Sequence, residues 1–381
     1  MDLELTAAER AFQAEVRDWL AGNVPAEPLP SMDTEAGFEA HRRWEAKLYS
    51  ARLSVVDWPE AYGGRGASLI EWLLFEEEYY RAGAPGRVSQ NGIFLLGPTL
   101  LRFGTEAQRA RVLPAMASGE QIWAQAWSEP EAGSDLAAVR SRADRVAGGW
   151  RLTGQKTWSS RAAFADRGFG LFRSDPAEPR HRGLSYLMFP LRDDRITVRP
   201  IRQLDGTTGF AELFFDGLFV PDQDVIGEPG NGWRVAMSAT EHERGLTLRS
   251  PGRFLATAGR LVEVWRAAPA ELRAATRDRV VDGWLAAQAY RLFTYAAASR
   301  LAAGGQLGAE ASLNKLYWSR LDLMLHETAL ALLGERAELL ESGASWPAGY
   351  LFALAGPIYA GTNEIQRDLV AERLLGLPRG R

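Results

Sequence analysis

The feature that most constrains this chain is a change of grammar. The stretch from 121 to about 225 is written in short strand-like runs, and the stretches on either side are written in helical period. The runs QIWAQAW, GGWRLTGQKTW, GLSYLMFPL, ITVRPI and AELFFDGLFVP are rich in β-branched and aromatic residues and are separated by Gly, Pro and Asp turns. GFG at 168–170 and the DPAEPRHRG loop read as further breaks. A small antiparallel β-barrel or sandwich set between helical regions follows, an α+β chain that is mostly α.

The flanks support this order. In TAAERAFQAEVRDWL, Thr6 and Glu9 form a capping-box pattern, and Phe12, Val16, Trp19 and Leu20 share one helical face. SLIEWLLFEEEYYRAG repeats the device with Ser68 and Glu71 and stops at Gly83, and TEAQRARVLPAMASG starts at a Thr105 cap. After PGNGW the helical period returns in three long segments, 231–266, 271–303 and 308–341, and in a shorter one from Thr362 to Leu375. Long apolar-striped helices with short breaks predict a four-helix bundle. The expected domains are an N-terminal helical domain over 1–120, a middle β-domain over 121–228 and a C-terminal bundle over 229–381.

Composition removes several classes of function. Lys and Arg total 44 against 48 acids, a net charge of -4, which gives no footprint for nucleic acid. The absence of Cys excludes disulfides, thiolate metal sites and a Cys nucleophile. The four histidines, His41, His181, His242 and His326, show no metal-site pairing, so no metal is expected. No secretory leader is visible at the N-terminus and no apolar run is long enough to cross a membrane, which makes a cytoplasmic protein the expectation.

Three stretches are dense in groups that bind ligands. WSEPEAGSDL, at 127–136, offers Ser128, Gly133 and Ser134, whose hydroxyls and close backbone N–H groups suit a phosphate or a polar ring edge; an ordinary turn with an Asx motif at Asp135 fits the same composition. TGQKTWSS, at 153–160, sets Trp158 beside Ser159 and Ser160; taken alone, such a Trp is more often core than a cofactor platform. IYAGTNEIQR, at 358–367, reads as a turn that feeds a helix.

Together with PEAYGGRGASLIE at 59–71 and GTEAQRARVLPAMASGE at 104–120, these stretches fall in an order and spacing that resembles the acyl-CoA dehydrogenase family over essentially the whole chain. The resemblance implies FAD as cofactor. Ser128 and Ser134 would bond the flavin edge and the pyrophosphate, with Gly133 in the same loop. Trp158 would pack on the isoalloxazine, Ser160 would approach its N5 side, and Thr362 and Glu364 would contact the cofactor, the Thr also capping the last helix. The family's substrates are acyl thioesters, its acceptor is an electron-transfer flavoprotein, and its members are homotetramers or homodimers, with some mixed assemblies.

The chemistry of α,β-dehydrogenation needs a carboxylate to take the α-proton while a hydride leaves the β-carbon. Many family members carry that base just before the Gly-Thr of the final turn, where this chain has Ala360. A second branch carries it on the first bundle helix immediately before an Arg, and here Glu243 precedes Arg244. Residues 236, 239, 240, 243, 246 and 247 form one helical stripe of small, mostly uncharged side chains around Glu243, surroundings that would raise its pKa toward that of a working base; Glu241 falls on another face. The resemblance makes Glu243 the base, Arg244 a contact to the pantetheine arm, and the Ala360 backbone N–H a support for the thioester oxygen.

Departures keep other readings in view. The segment WRAAPAELRAATRDRV, at 265–280, lacks the Arg-Phe-Gly that reaches a neighbouring subunit's FAD in many homotetramers, so a hetero-oligomer is an alternative to a homo-oligomer. An acyl carrier protein could replace CoA, since both present a pantetheine arm. A silent or cofactor-sharing subunit of a mixed assembly, or an oxygen-using flavin monooxygenase on the same fold, are the alternative functions.

Overall fold

The computed structural model describes residues 4–244, 250–305, 308–339 and 345–378, the side chains of 239–244 excepted. The N-terminal helices are α1 (Ala7–Asn23), α2 (Glu35–Ser50), α3 (Leu69–Arg81), α4 (Gly97–Phe103) and α5 (Glu106–Ala117). The predicted caps form. Thr6, Ser68 and Thr105 each accept a hydrogen bond from the backbone N–H three residues on, and each is answered by the side chain of Glu9, Glu71 or Gln108. Helix α2, capped by Thr34, and the turn of π-helix over Gly92–Leu96 that runs into α4 are additions to the sequence expectation.

The middle of the chain forms one sheet from β1 (Trp123–Ala126), β2 (Arg142–Val146), β3 (Gly149–Ser160), β4 (Arg167–Arg173), β5 (Leu184–Pro190), β6 (Ile196–Ile201), β7 (Phe210–Pro221) and β8 (Val225–Ile226). Its order is β6-β7-β3-β2-β4-β5-β8, with β1 added on β4. Most pairs are antiparallel as expected, but β1 runs parallel to β4, and β2 meets β4 in parallel at Arg142 and Arg173. The rings of Phe172, Phe189 and Phe215 pack edge-on at 5.1–5.9 Å, carrying β4 and β5 onto β7 in the core.

GFG at 168–170 is not a break but the centre of β4. A Cβ on Gly170 would stand 2.3 Å from the Ala126 carbonyl oxygen, and one on Gly168 would stand 2.4 Å from the Phe189 ring. Both glycines are there because neighbours press on the strand, not because the chain turns.

The C-terminal helices are α6 (Gly232–Arg244), α7 (Pro251–Ala267), α8 (Ala270–Ala302), α9 (Glu310–Leu333), α10 (Trp346–Leu354) and α11 (Asn363–Leu369). The expected single segment over 231–266 is therefore two helices. Ser250, in extended conformation, caps α7 through the Gly252 N–H, and Pro251 occupies its first turn, where a missing N–H costs nothing. Helix α9 gives way at Leu333 to a 3-10 turn over Gly334–Glu338. Thr362 caps α11 through the Ile365 N–H, as predicted.

These elements gather into two compact units. One holds Met1–Pro28, Ala67–Pro85 and Arg244–Arg381. Its core joins Phe254 and Leu261 of α7, Tyr290 of α8, and Trp318 and Leu325 of α9, and α3 packs on both α7 and α8. The other holds Leu29–Gly66 and Gly86–Glu243: α2, α4, α5, the sheet and α6. Among the described residues no helix is long and apolar enough to cross a membrane.

Candidate active site

In the sheet-bearing unit, the two stretches that sequence singled out are joined. Strand β3 pairs with β7 from Lys156 opposite Leu213 to Ser159 opposite Ala211, so three steps on β3 meet two on β7. The extra residue makes a β-bulge at Thr157 and Trp158. The bulge frees the Thr157 N–H from the ladder, and it donates to the Ser128 carbonyl at 2.9 Å. It also turns Trp158 outward. That indole has a left-handed backbone, φ +59°, is 58% exposed, and is steadied edge-on by Phe210 at 6.0 Å. A large aromatic held out at the cost of a strained backbone offers a flat face for a flat partner. Ser128 and Ser160 flank it, both half-buried.

Ahead of this platform the chain makes a tight turn, with Glu129 and Ala132 exchanging two backbone hydrogen bonds at 3.0–3.1 Å. Gly133 and Ser134 follow in the open. Among the described residues their N–H groups donate to no protein acceptor, and a Cβ on Gly133 would meet nothing within 4 Å. Two adjacent amides of this kind can take an anion without a cation nearby. The far side of the loop is fixed by Asp135, paired with Arg180 at 2.8 Å, and by Arg173, whose guanidinium donates to the carbonyls of Ala137, Glu178, Arg180 and Arg182.

Sequence reasoning missed what lies behind both loops. Lys156 is wholly buried, and its ammonium donates to the Trp127 carbonyl at 3.1 Å, the Leu171 carbonyl at 2.7 Å and the Glu129 carboxylate at 2.8 Å. Glu129 also accepts from the N–H groups of Arg140 at 2.6 Å and Ser141 at 2.9 Å. Burial pushes the Glu129 carboxyl up, but Lys156 and the two N–H groups outweigh it and hold the group below the ordinary carboxylate range. Burial in turn lowers the Lys156 ammonium from its usual value against the pull of Glu129. The signal available in the sequence was the rarity of Lys, with three in the whole chain.

The helical unit holds the final turn. Ala360 and Gly361 are both left-handed, at φ +57° and +80°, and the turn is closed by the Asn363 N–H donating to the Pro357 carbonyl at 2.8 Å. Among the described residues the Ala360 N–H donates to no acceptor. The carbonyls of Ala360 and Gly361 are tied down instead, each 3.3 Å from the Gln366 side-chain amide. Glu364 stands exposed one turn along, 3.2 Å from Arg367. Its carboxyl is held below the usual range, first by its own backbone N–H and then by Arg367 and the Thr362 side chain, against slight desolvation. The side chains of Glu243 and Arg244 lie outside the described residues, although both positions are helical in α6, and Ala236 at the start of the Glu243 stripe is buried. No group of three or more potential metal ligands occurs among the described residues.

A helical, then sheet, then helical chain with an outward Trp, two open amides and a baseless final turn defines an oxidoreductase of one class. The chain belongs to the acyl-CoA dehydrogenase family. Residues 6–120, 124–218 and 230–375 match that family's N-terminal, middle and C-terminal domains. Among curated relatives, acyl-CoA dehydrogenase IpdE1 of Mycobacterium tuberculosis is 40% identical, with 97% of each chain covered. Among solved structures, the steroid ACAD Tcur3481-Tcur3483 aligns at TM-score 0.84 with 27% identity over all of both chains. The ChsE4-ChsE5 complex from Mycobacterium tuberculosis aligns at 0.83 with 27% identity and the same coverage.

Proposed function

We propose that the protein binds FAD through Ser128, Gly133, Ser134, Trp158, Ser160, Thr362 and Glu364, and uses it to place an α,β double bond in an acyl thioester. The observation that carries this reading is the exposed Trp158 ring, turned out by the bulge whose Thr157 N–H bonds the Ser128 carbonyl, in the segment that leads to the open Gly133–Ser134 amides. The residues present fit the cofactor: a flat apolar face for a ring and, among the described residues, two amides without a protein acceptor for a pyrophosphate. Bound FAD supplies the two-electron acceptor for the hydride that leaves the β-carbon.

The chain's own residues do the rest. The Glu243 carboxylate takes the α-proton and becomes the neutral acid. The Ala360 N–H, free of internal acceptors among the described residues, donates to the thioester oxygen as negative charge grows there. Arg244 holds the pantetheine arm. Support for Glu243 comes from its place directly before Arg244 on α6, in a stripe of small residues, and from the missing carboxylate at Ala360. The pantetheine arm belongs to CoA or to an acyl carrier protein, and an electron-transfer flavoprotein reoxidises the flavin in the cytoplasm. The working domains are 1–120, 121–228 and 229–381.

The assembly is a homo-oligomer in this reading. A mixed assembly is the second reading, favoured by one observation: the two solved structures compared above, Tcur3481-Tcur3483 and the ChsE4-ChsE5 complex, are each named as a pair of components.

The test is anaerobic. Purified protein is expected to be yellow with one FAD per chain, and an acyl thioester bleaches the flavin band. Glu243→Gln keeps FAD and loses bleaching by at least about a hundredfold in rate, the scale of an absent general base. Bleaching that persists in the variant removes Glu243 from the role. A native mass showing a second chain, with fewer than one FAD per chain, replaces the homo-oligomer with the mixed assembly.

A further inference from the structure

The basic residues of this chain are almost all Arg. Of 44, only Lys47, Lys156 and Lys315 are lysines. Lys47 is exposed, and the other two are wholly buried. Charged side chains that deep persist only when paired, and both are paired at the back of a turn proposed above to face the cofactor.

Lys156 gathers three acceptors at one point: the Trp127 carbonyl just past β1, the Glu129 carboxylate of the turn that follows, and the Leu171 carbonyl of β4. Ser128 lies between the first two, and Trp158 lies two residues beyond Lys156 itself. Lys315, on α9, donates to the Asn363 side-chain oxygen at 2.8 Å, and the Asn363 amide reaches the Ser319 hydroxyl at 3.1 Å. Asn363 follows Thr362 directly, and its own N–H closes the turn that contains Ala360. An ammonium is a compact point with three donors arranged tetrahedrally. A guanidinium is a planar fork of five donors, too broad for a sealed site that asks for convergence on one atom.

We propose that Lys156 and Lys315 are positioning residues that set the FAD-facing turns from behind, and that both sites require an ammonium and reject a guanidinium. The proposal rests on the FAD reading above. Lys156 sets the spacing of the Ser128 segment against Trp158, and Lys315 sets the Ala360–Thr362 turn.

The experiment follows FAD release from full-length holoprotein after dilution, by recovery of flavin fluorescence, together with the visible flavin band and the urea midpoint. Lys156→Arg and Lys315→Arg are expected to release FAD at least tenfold faster than wild type, with a displaced flavin band, whereas Lys47→Arg matches wild type. Two paired replacements keep the test decisive where a single variant fails to fold: Glu129→Gln with Lys156→Met, and Lys315→Met with Asn363→Leu. Removing both partners returns the urea midpoint toward wild type, because a buried ion pair or polar pair is replaceable for stability by apolar packing. It does not return the FAD release rate. Release that recovers along with the midpoint makes the lysines merely structural and overturns the proposal, as does wild-type release in the folded Arg variants. Wild-type protein that takes up no FAD overturns the cofactor reading itself, a result distinct from either.

Discussion

Asp57 shows how one side chain can set a pH dependence that no motif announces. It is half-buried in the turn between Val56 and Trp58, both core residues, and burial pushes its carboxyl up to about 6, partly offset by its own backbone N–H. The folded protein therefore binds this proton more tightly than the unfolded chain, whose Asp titrates near 3.8. The charged form costs stability above pH 6, and that cost fades as pH falls through 6 toward 4. Asp57→Asn removes the titration. In urea melts it is expected to exceed wild type at pH 8 by on the order of 2–3 kcal/mol, the free energy of holding the carboxyl at about 6 instead of 3.8, and to match it near pH 4. At this scale legibility was uneven. The Thr362 cap was readable because residue type and local order carry the message. Glu129 and Lys156 were not, since the partners stand 27 positions apart and only burial makes the pair consequential.

Among elements, the caps were the most legible, because a capping box is complete within four residues and needs no tertiary partner. Helix α10, WPAGYLFAL, was not legible: it is nearly all apolar, so it has no period to read, and only Ser345 and Pro347 mark its start. The glycines of β4 misled for the opposite reason, as their cause is pressure from Ala126 and Phe189 on other strands. The final turn carries a prediction of its own. Ala360 pays for a left-handed backbone, φ +57°, with no carboxylate in return. That conformation costs Ala about 1–2 kcal/mol, and Gly adopts it freely at an entropic cost of about 0.5–1 kcal/mol. Ala360→Gly is thus expected to raise stability by about 0.5–1 kcal/mol in urea melts and to leave FAD content unchanged, since the N–H is kept.

For the whole molecule, the order of helices, sheet and helices followed from periodicity alone, but the grouping of those elements did not. Helices α1 and α3 join α7 to α11, and α2, α4, α5 and α6 join the sheet. Pairings such as Arg17 with Glu78 and Arg291 with Glu77 tie the first group, and they span as many as 214 positions, far outside any window of local pattern. The scarcity of lysine also makes the molecule a reporter of its own opening. An amine-reactive acylating reagent meets one accessible side chain, Lys47, in the folded protein, and three once the chain unfolds. Intact mass after brief labelling across a urea series should therefore step up by two side-chain labels at the unfolding transition. Peptide mapping would then tell whether Lys156 and Lys315 become reactive together or in turn, so that two native side chains time the loosening of the sheet and of the helices separately, with no engineered probe.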